Sequence, residues 1–286
     1  MKEITKAING LPSISSTIKE HNLVAKKKLS QNFILDMNLT NKIVRLSNSI
    51  RNNTVIEIGA GPGALTRSIL INGAKKVIVV EKDKRFLNAL KILNNASNNR
   101  VIIENIDALK MDLKLLMKKY KVHQAEIVAN LPYSIATKLL LNWIPFPQGI
   151  NKMTLMFQKE VAERIVAEPG SKKYGRLSIL LGIMTDSKIL MNISPSAFIP
   201  KPKIDSAIVQ IKQKTLDKNF NKGILEKVTQ ILFNKRRKQI KSSLSKFGDP
   251  IKICNLLNIH PSQRPEELTL KNYEKLSYII SNYQDL

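Results

Sequence analysis

The chain has 286 residues, enough for one large domain or a large and a small one. With 43% hydrophobic residues, mixed charges and no apolar run longer than stretches such as SILLGIM (178–184), it fits neither a disordered chain nor a helix spanning a membrane. Forty-seven Lys and Arg against 22 Asp and Glu leave a net charge of +25, which points to a polyanionic partner, and the single cysteine, Cys254, excludes an internal disulfide and an iron–sulfur cluster.

The first 25 residues read as an extension without a motif; their polar residues do not fit a secretory signal, so the expected location is the cytoplasm. Further on, Val- and Ile-rich runs alternate with helical stretches. TVIEI (54–58) precedes ALTRSILING, KVIVVE (76–81) precedes KRFLNALKILNN, RVIIEN (100–105) precedes LKLLMKKY, and AEIVA (125–129) precedes SIATKLLLNW. MTLMFQ (153–158) reads as a fifth strand, and EVAERIVAE as a helix closed by Pro169 and Gly170. This alternation predicts an α/β fold, a parallel sheet with helices on both faces.

After a further helix, YGRLSILLGIM (174–184), the runs KILMNIS and DSAIVQIKQK predict two antiparallel strands at one sheet edge, joined by the proline-stiffened loop PSAFIPKPK. From about Thr215 the pattern is purely helical. The expected division is an extension over 1–25, a catalytic domain over 26–214 and a small all-helical domain over 215–286.

EIGAGPGA (57–64) follows a strand and opens a helix, where glycines let the backbone approach a ligand. The same spacing, centred on Gly59 and Gly61, matches a dinucleotide fingerprint. Glu57, however, would repel a pyrophosphate and suits a cationic amino group, and Pro62 removes an amide donor that a phosphate cradle would use. Glu81 ends the next strand, the usual place for an acid that pairs two ribose hydroxyls. Asp107 follows the third strand and can accept from an adenine amino group; Asn130 ends the fourth. Polar side chains at the carboxyl ends of successive parallel strands converge on the crevice where such sheets bind ligands, and together these describe an adenosine site.

The fourth strand stops in Asn130-Leu131-Pro132-Tyr133, more chemistry than a turn requires. EIGAGPG, VEKD and NLPY in this order resemble the class I S-adenosylmethionine-dependent methyltransferases, whose fold is a Rossmann-like sheet. KLSQNFILD (28–36), QKEV (158–161), YGRLS (174–178), FIPKPKIDS (198–206) and FNKRRK (233–238) extend the resemblance to the bacterial ribosomal RNA adenine dimethyltransferases. The resemblance implies S-adenosylmethionine as cofactor, no metal, and dimethylation of two adjacent adenines near the 3′ end of small-subunit ribosomal RNA during biogenesis of that subunit, by a monomer. It also implies that Asn32 and Ile34 line the cofactor pocket; the family usually has leucine where this chain has Ile34.

The chemistry accounts for the quartet. An adenine amino nitrogen is a poor nucleophile because its lone pair is delocalised, so the enzyme mainly positions and rehybridises it. The Asn130 side-chain oxygen and the Leu131 carbonyl can accept the two amino hydrogens, Pro132 holds that carbonyl, and Tyr133 offers a stacking face for the extruded base. Phe198 is expected to supply a second face, or else to belong to the core.

The charge is clustered. KKK (26–28) would flank the site entrance, and NKRRKQIK (234–241), read as a helix, would present Lys235, Arg236, Arg237 and Lys238 to RNA while Ile240 and Leu244 face inward. Lys26, Lys27 and Lys28 complete the expected RNA-binding set. The chain is also rich in Lys, Asn and Ile, as A+T bias would make it. Three rivals remain: a large-subunit methylase conferring resistance, which typically carries isoleucine where Leu131 stands; a non-catalytic ribosome assembly factor; and a nicotinamide oxidoreductase.

Overall fold

The computed structural model describes residues 2–282, the Lys27 side chain excepted. In chain order the elements are α1 (Lys2–Asn9), α2 (Ile14–Glu20), β1 (Phe33–Ile34), α3 (Met37–Ser47), β2 (Thr54–Ile58), α4 (Ala64–Ile71), β3 (Lys76–Val80), α5 (Leu87–Ala96), β4 (Val101–Glu104), α6 (Leu113–Lys119), β5 (Ala125–Asn130), α7 (Tyr133–Trp143), β6 (Ile150–Gln158), α8 (Lys159–Ile165), α9 (Arg176–Met184), β7 (Thr185–Ile193), β8 (Phe198–Ile199), β9 (Ser206–Gln213), α10 (Lys222–Phe233), α11 (Lys241–Leu244), α12 (Pro250–Leu257) and α13 (Leu270–Asn282). None of the described helices is long and apolar enough to cross a membrane.

Two compact units emerge. The first takes the chain up to Ala162 together with Lys188–Lys212, and is built on a seven-stranded sheet of order β4-β3-β2-β5-β6-β9-β7. Strands β2 to β6 pair in parallel, whereas β9 runs antiparallel to β6. The central strands are Val- and Ile-rich and almost wholly buried, as strands covered on both faces must be. Helix starts follow local chemistry: Asp36 caps α3 through the amide of Asn38, and Asp112 caps α6 through those of Lys114 and Leu115. The order reverses between β2 and β5, which opens a crevice at the carboxyl ends of these strands.

The first 25 residues, an extension without a motif in the sequence, pack on the first unit. Ile4 and Ile8, one helical turn apart, are buried against the core with Ile14 and Leu23. Arg67 of α4 donates to the Pro12 carbonyl (2.7 Å) and to the Thr17 hydroxyl (3.3 Å).

The second unit takes Glu163–Ser187 and the chain from Gln213 onward, so it reaches further back than an all-helical domain over 215–286. The reason is packing: α9 lies against α10 and α13, and at Gly182 an added Cβ would stand 2.7 Å from Leu270 Cδ1. Buried Tyr174 and Tyr273 donate to the carbonyls of Leu268 and Pro265, which satisfies both hydroxyls inside an apolar core.

Candidate active site

A cavity of about 250 Å³ opens at the crevice. It is lined by all eight residues expected to hold the cofactor, Asn32, Ile34, Glu57, Gly59, Gly61, Glu81, Asp107 and Asn130, and by Leu131, Pro132, Tyr133 and Lys28. Gly61 has a φ of +53°, and a Cβ there would lie 3.3 Å from the Phe33 ring, so glycine serves both the turn and the close approach.

The glycine turn uses its amides internally. Gly59 donates to the Val80 carbonyl, Gly63 to that of Ala60, and Gly61 to Glu81 Oε2 at 2.9 Å. Pro62 has no N–H. A phosphate cradle needs free amides at this point, and these glycines offer none, which disfavours a dinucleotide.

Glu81 also accepts from the Asp83 amide at 2.8 Å; burial raises its pKa while these backbone donors pull it down. Glu57 differs. It is buried, its Oε2 has no hydrogen-bond partner among the described residues, and burial pushes its pKa up to about 8, with the Thr66 hydroxyl opposing and the charge of Glu81 adding. A buried carboxyl with a vacant oxygen on the cavity wall fits a ligand that brings its own positive donor. Asp107 accepts from the Leu109 amide and pairs with Lys82 at 2.8 Å; those donors hold its pKa below the usual carboxylate value and leave lone pairs for a purine amino group. Beside it, Ile106 exposes an apolar face on the cavity wall.

The quartet is arranged around acceptors. Asn130 Nδ2 donates to the Asn32 carbonyl at 3.1 Å, and because a carbonyl only accepts, this contact fixes which end of the amide is which. Among the described residues nothing donates to Oδ1, which is left as the acceptor. Among the described residues the Leu131 carbonyl accepts no backbone hydrogen bond; the next carbonyl, of Pro132, takes those of Ile135 and Ala136 as α7 begins. Tyr133 bonds Ser206 Oγ through its hydroxyl at 2.6 Å, which fixes the ring.

A shallower groove adjoins the cavity, lined by Ser30, Gln31, Asn32, Tyr133, Ser134, Gln158, Pro200 and Pro202. Phe198 is not in it. Phe198 pairs with Ile34 across β1 and β8 and is buried in the core, so the second wall of the groove comes from the two prolines instead. Gln158, Pro200 and Ser206 lie in the QKEV and FIPKPKIDS stretches, yet nothing in the residue types alone singles them out. Ser30, Gln31 and Ser134 are of the same kind: Ser30 Oγ donates to Ser134 Oγ at 3.0 Å, which ties the segment before β1 to the start of α7.

Of the expected RNA-binding residues, Lys26 and Lys28 are exposed and Lys28 reaches the cavity, whereas the Lys27 side chain lies outside the described residues. The second cluster is not helical. Residues 234–239 form a turn between α10 and α11. Lys235, Arg237 and Lys238 are exposed there, but Arg236 pairs with Glu266 and donates to the Lys172 carbonyl, which pins the turn to its own unit. Ile240 and Leu244 are buried as expected.

Sheet order and crevice define a class I methyltransferase, with helices on both faces of the sheet. The chain belongs to the ribosomal RNA adenine dimethylase family, whose profile matches residues 22–283. It is 42% identical over 275 residues to ribosomal RNA small subunit methyltransferase A of Xanthobacter autotrophicus, covering 95% of this chain and 94% of that one. Among solved structures it is similar to a dimethyladenosine transferase from Plasmodium falciparum, with a TM-score of 0.74, 26% identity, and 84% of this chain and 94% of that one covered. The fold is shared with the 23S rRNA methyltransferase ErmE, with a TM-score of 0.65, 20% identity, and 88% and 100% covered.

Proposed function

We propose that this chain dimethylates the N6 amino groups of two adjacent adenines near the 3′ end of small-subunit ribosomal RNA, acting as a monomer in the cytoplasm on the immature small subunit. S-adenosylmethionine is the cofactor, and when bound it supplies an electrophilic methyl group. Glu57 would hold its amino group, Glu81 its ribose and Asp107 its adenine. The observation that carries the reading is the pair of vacant acceptors, Asn130 Oδ1 and the Leu131 carbonyl, at the cavity rim.

Those two oxygens accept the two hydrogens of one amino group and draw the nitrogen toward tetrahedral geometry. Asn32 keeps Oδ1 aimed, Pro132 holds the carbonyl, and Tyr133, fixed by Ser206, takes the face of the extruded base. Proton loss follows methylation, since the product ammonium is acidic, and no general base is required. Lys26, Lys28 and the exposed part of the basic turn contact phosphates. The name carried by the relatives at about 40% identity supports the small subunit over the large one; the likeness to the 23S enzyme supports the fold alone.

The test is to incubate the protein with labelled S-adenosylmethionine and undermethylated small subunits, then digest and identify the nucleoside. Dimethyladenosine in small-subunit RNA is expected. Its appearance only in large-subunit RNA would overturn the substrate assignment.

A further inference from the structure

The groove beside the cavity contains one amide that the mechanism above leaves unused. Gln158 is the last residue of β6 and is half-buried on the groove wall. Its carboxamide has no hydrogen-bond partner among the described residues. The neighbouring amides are committed: Gln31 bonds Asp83, Arg85 and the Lys26 amide, and Asn32 donates to the Ser30 carbonyl.

Register places Gln158 in line with the acceptors. Asn130 lies opposite Met156 in the parallel pairing of β5 with β6, and Gln158 lies opposite Ser206 in the antiparallel pairing of β6 with β9. Opposed residues share a face, as do residues two apart on one strand, so Asn130, Gln158 and Ser206 all project to the same side of the sheet. Ideal strand spacings put the Asn130 and Gln158 Cα atoms about 8 Å apart, with Tyr133, held by Ser206, beside them. A flat base seated on Tyr133 with its amino group at Asn130 therefore turns another part of its edge toward Gln158.

We infer that Gln158 is a specificity residue that reads the target base. Its Nε2 donates to a ring nitrogen flanking the amino group, N1 or N7 of adenine, while Asn130 and Leu131 hold the amino hydrogens. The assignment rests on the proposed methyl transfer to adenine and adds the second contact that orients the ring.

Two isosteric variants and two substrate analogues test it. Gln158→Met removes the donor, and Gln158→Glu replaces it with an acceptor that repels a ring nitrogen. Both are assayed on undermethylated small subunits, and on subunits reconstituted with 1-deazaadenosine or 7-deazaadenosine at the target positions, with calorimetry of S-adenosylmethionine binding as the check on folding. Gln158→Met should lower kcat/KM about ten- to hundredfold, and Gln158→Glu further, with cofactor affinity unchanged. Wild-type protein should lose a similar factor on one of the two analogues, and Gln158→Met should lose nothing more on that same analogue. Normal wild-type rates on both analogues, or an equal analogue penalty in Gln158→Met, would overturn the role of Gln158 alone. A wild-type protein inert on unmodified subunits would overturn the adenine reading and this inference with it.

Discussion

The two ends of the central sheet treat buried polar groups in opposite ways. At the amino end, Glu126 of β5 and Lys152 of β6 are register partners, both less than a tenth exposed. Ser47 donates to Glu126 at 2.6 Å, Lys152 donates to the Ser47 carbonyl and the Ser49 hydroxyl, and its Nζ stands 3.5 Å from the Glu126 carboxylate. Every strong charge there has a partner within the chain. At the carboxyl end, Glu57 Oε2 and the Leu131 carbonyl have none among the described residues, and Asn130 is anchored so that its oxygen is left without a donor there. Burial of polar groups alone thus fails to mark a site, and so does an unpartnered group alone, since buried Thr154 of β6 also lacks a partner among the described residues; what sets Glu57, Asn130 and Leu131 apart is that they line the cavity together.

Substitutions at the two ends should separate stability from chemistry. Lys152→Met leaves Glu126 buried without its cation and should lower unfolding free energy by about 3–5 kcal/mol in urea titrations, part of which a second change, Glu126→Leu, restores. Asn130→Ala should lower kcat about a hundred- to thousandfold, the scale for removing one preorganised polar group at a reacting centre. Its stability should fall by no more than about 1 kcal/mol, the worth of the bond to Asn32.

Glu57→Gln should weaken S-adenosylmethionine about tenfold by calorimetry, and it carries a pH signature. The Glu57 pKa is raised from 4.5 to about 8, so the folded apoprotein holds this proton more tightly than the unfolded chain does. Apoprotein stability from this group therefore falls as pH rises from about 4.5 to about 8, and the wild type should lose melting temperature relative to Glu57→Gln over that window. Cofactor binding should release a proton in the same range, and the variant should not.

The smallest effects belong to the basic turn. Lys235→Gln, Arg237→Gln or Lys238→Gln should each lessen the salt dependence of RNA binding, by up to about 0.9 log units per decade of salt for each lost phosphate contact. Arg236→Gln should instead cost stability, since that guanidinium is held by Glu266.

The strands, the glycine turn and the quartet were legible because each is a local pattern. β-branched runs, a glycine spacing and an amide before proline act within a few residues. What the sequence left open or placed differently depended on distant partners. Phe198 faces the core and Ile199 faces solvent because β8 pairs with β1, a contact spanning 164 positions at Ile34 and Phe198. The basic run has good helix formers, but Arg236 is drawn to Glu266 and the Ile240 amide to the Gln263 carbonyl, so the chain turns there. The opening residues held the Ile4 and Ile8 spacing of an amphipathic helix; Arg67 and the faces of α4 and α5 explain where it docks.

The amino acids by themselves determined the parallel sheet, the glycine turn and the donor and acceptor types set at its rim, since propensity, turn chemistry and hydrogen-bonding type are properties of residues. Tertiary structure alone decided which oxygen of that rim stays vacant among the described residues, that Phe198 is buried in the core, and that the Gln158 amide stands on the groove wall without a partner. Those outcomes depend on which groups satisfy one another across strands far apart in sequence, and a hydrogen bond is known to be missing only once every partner has been placed.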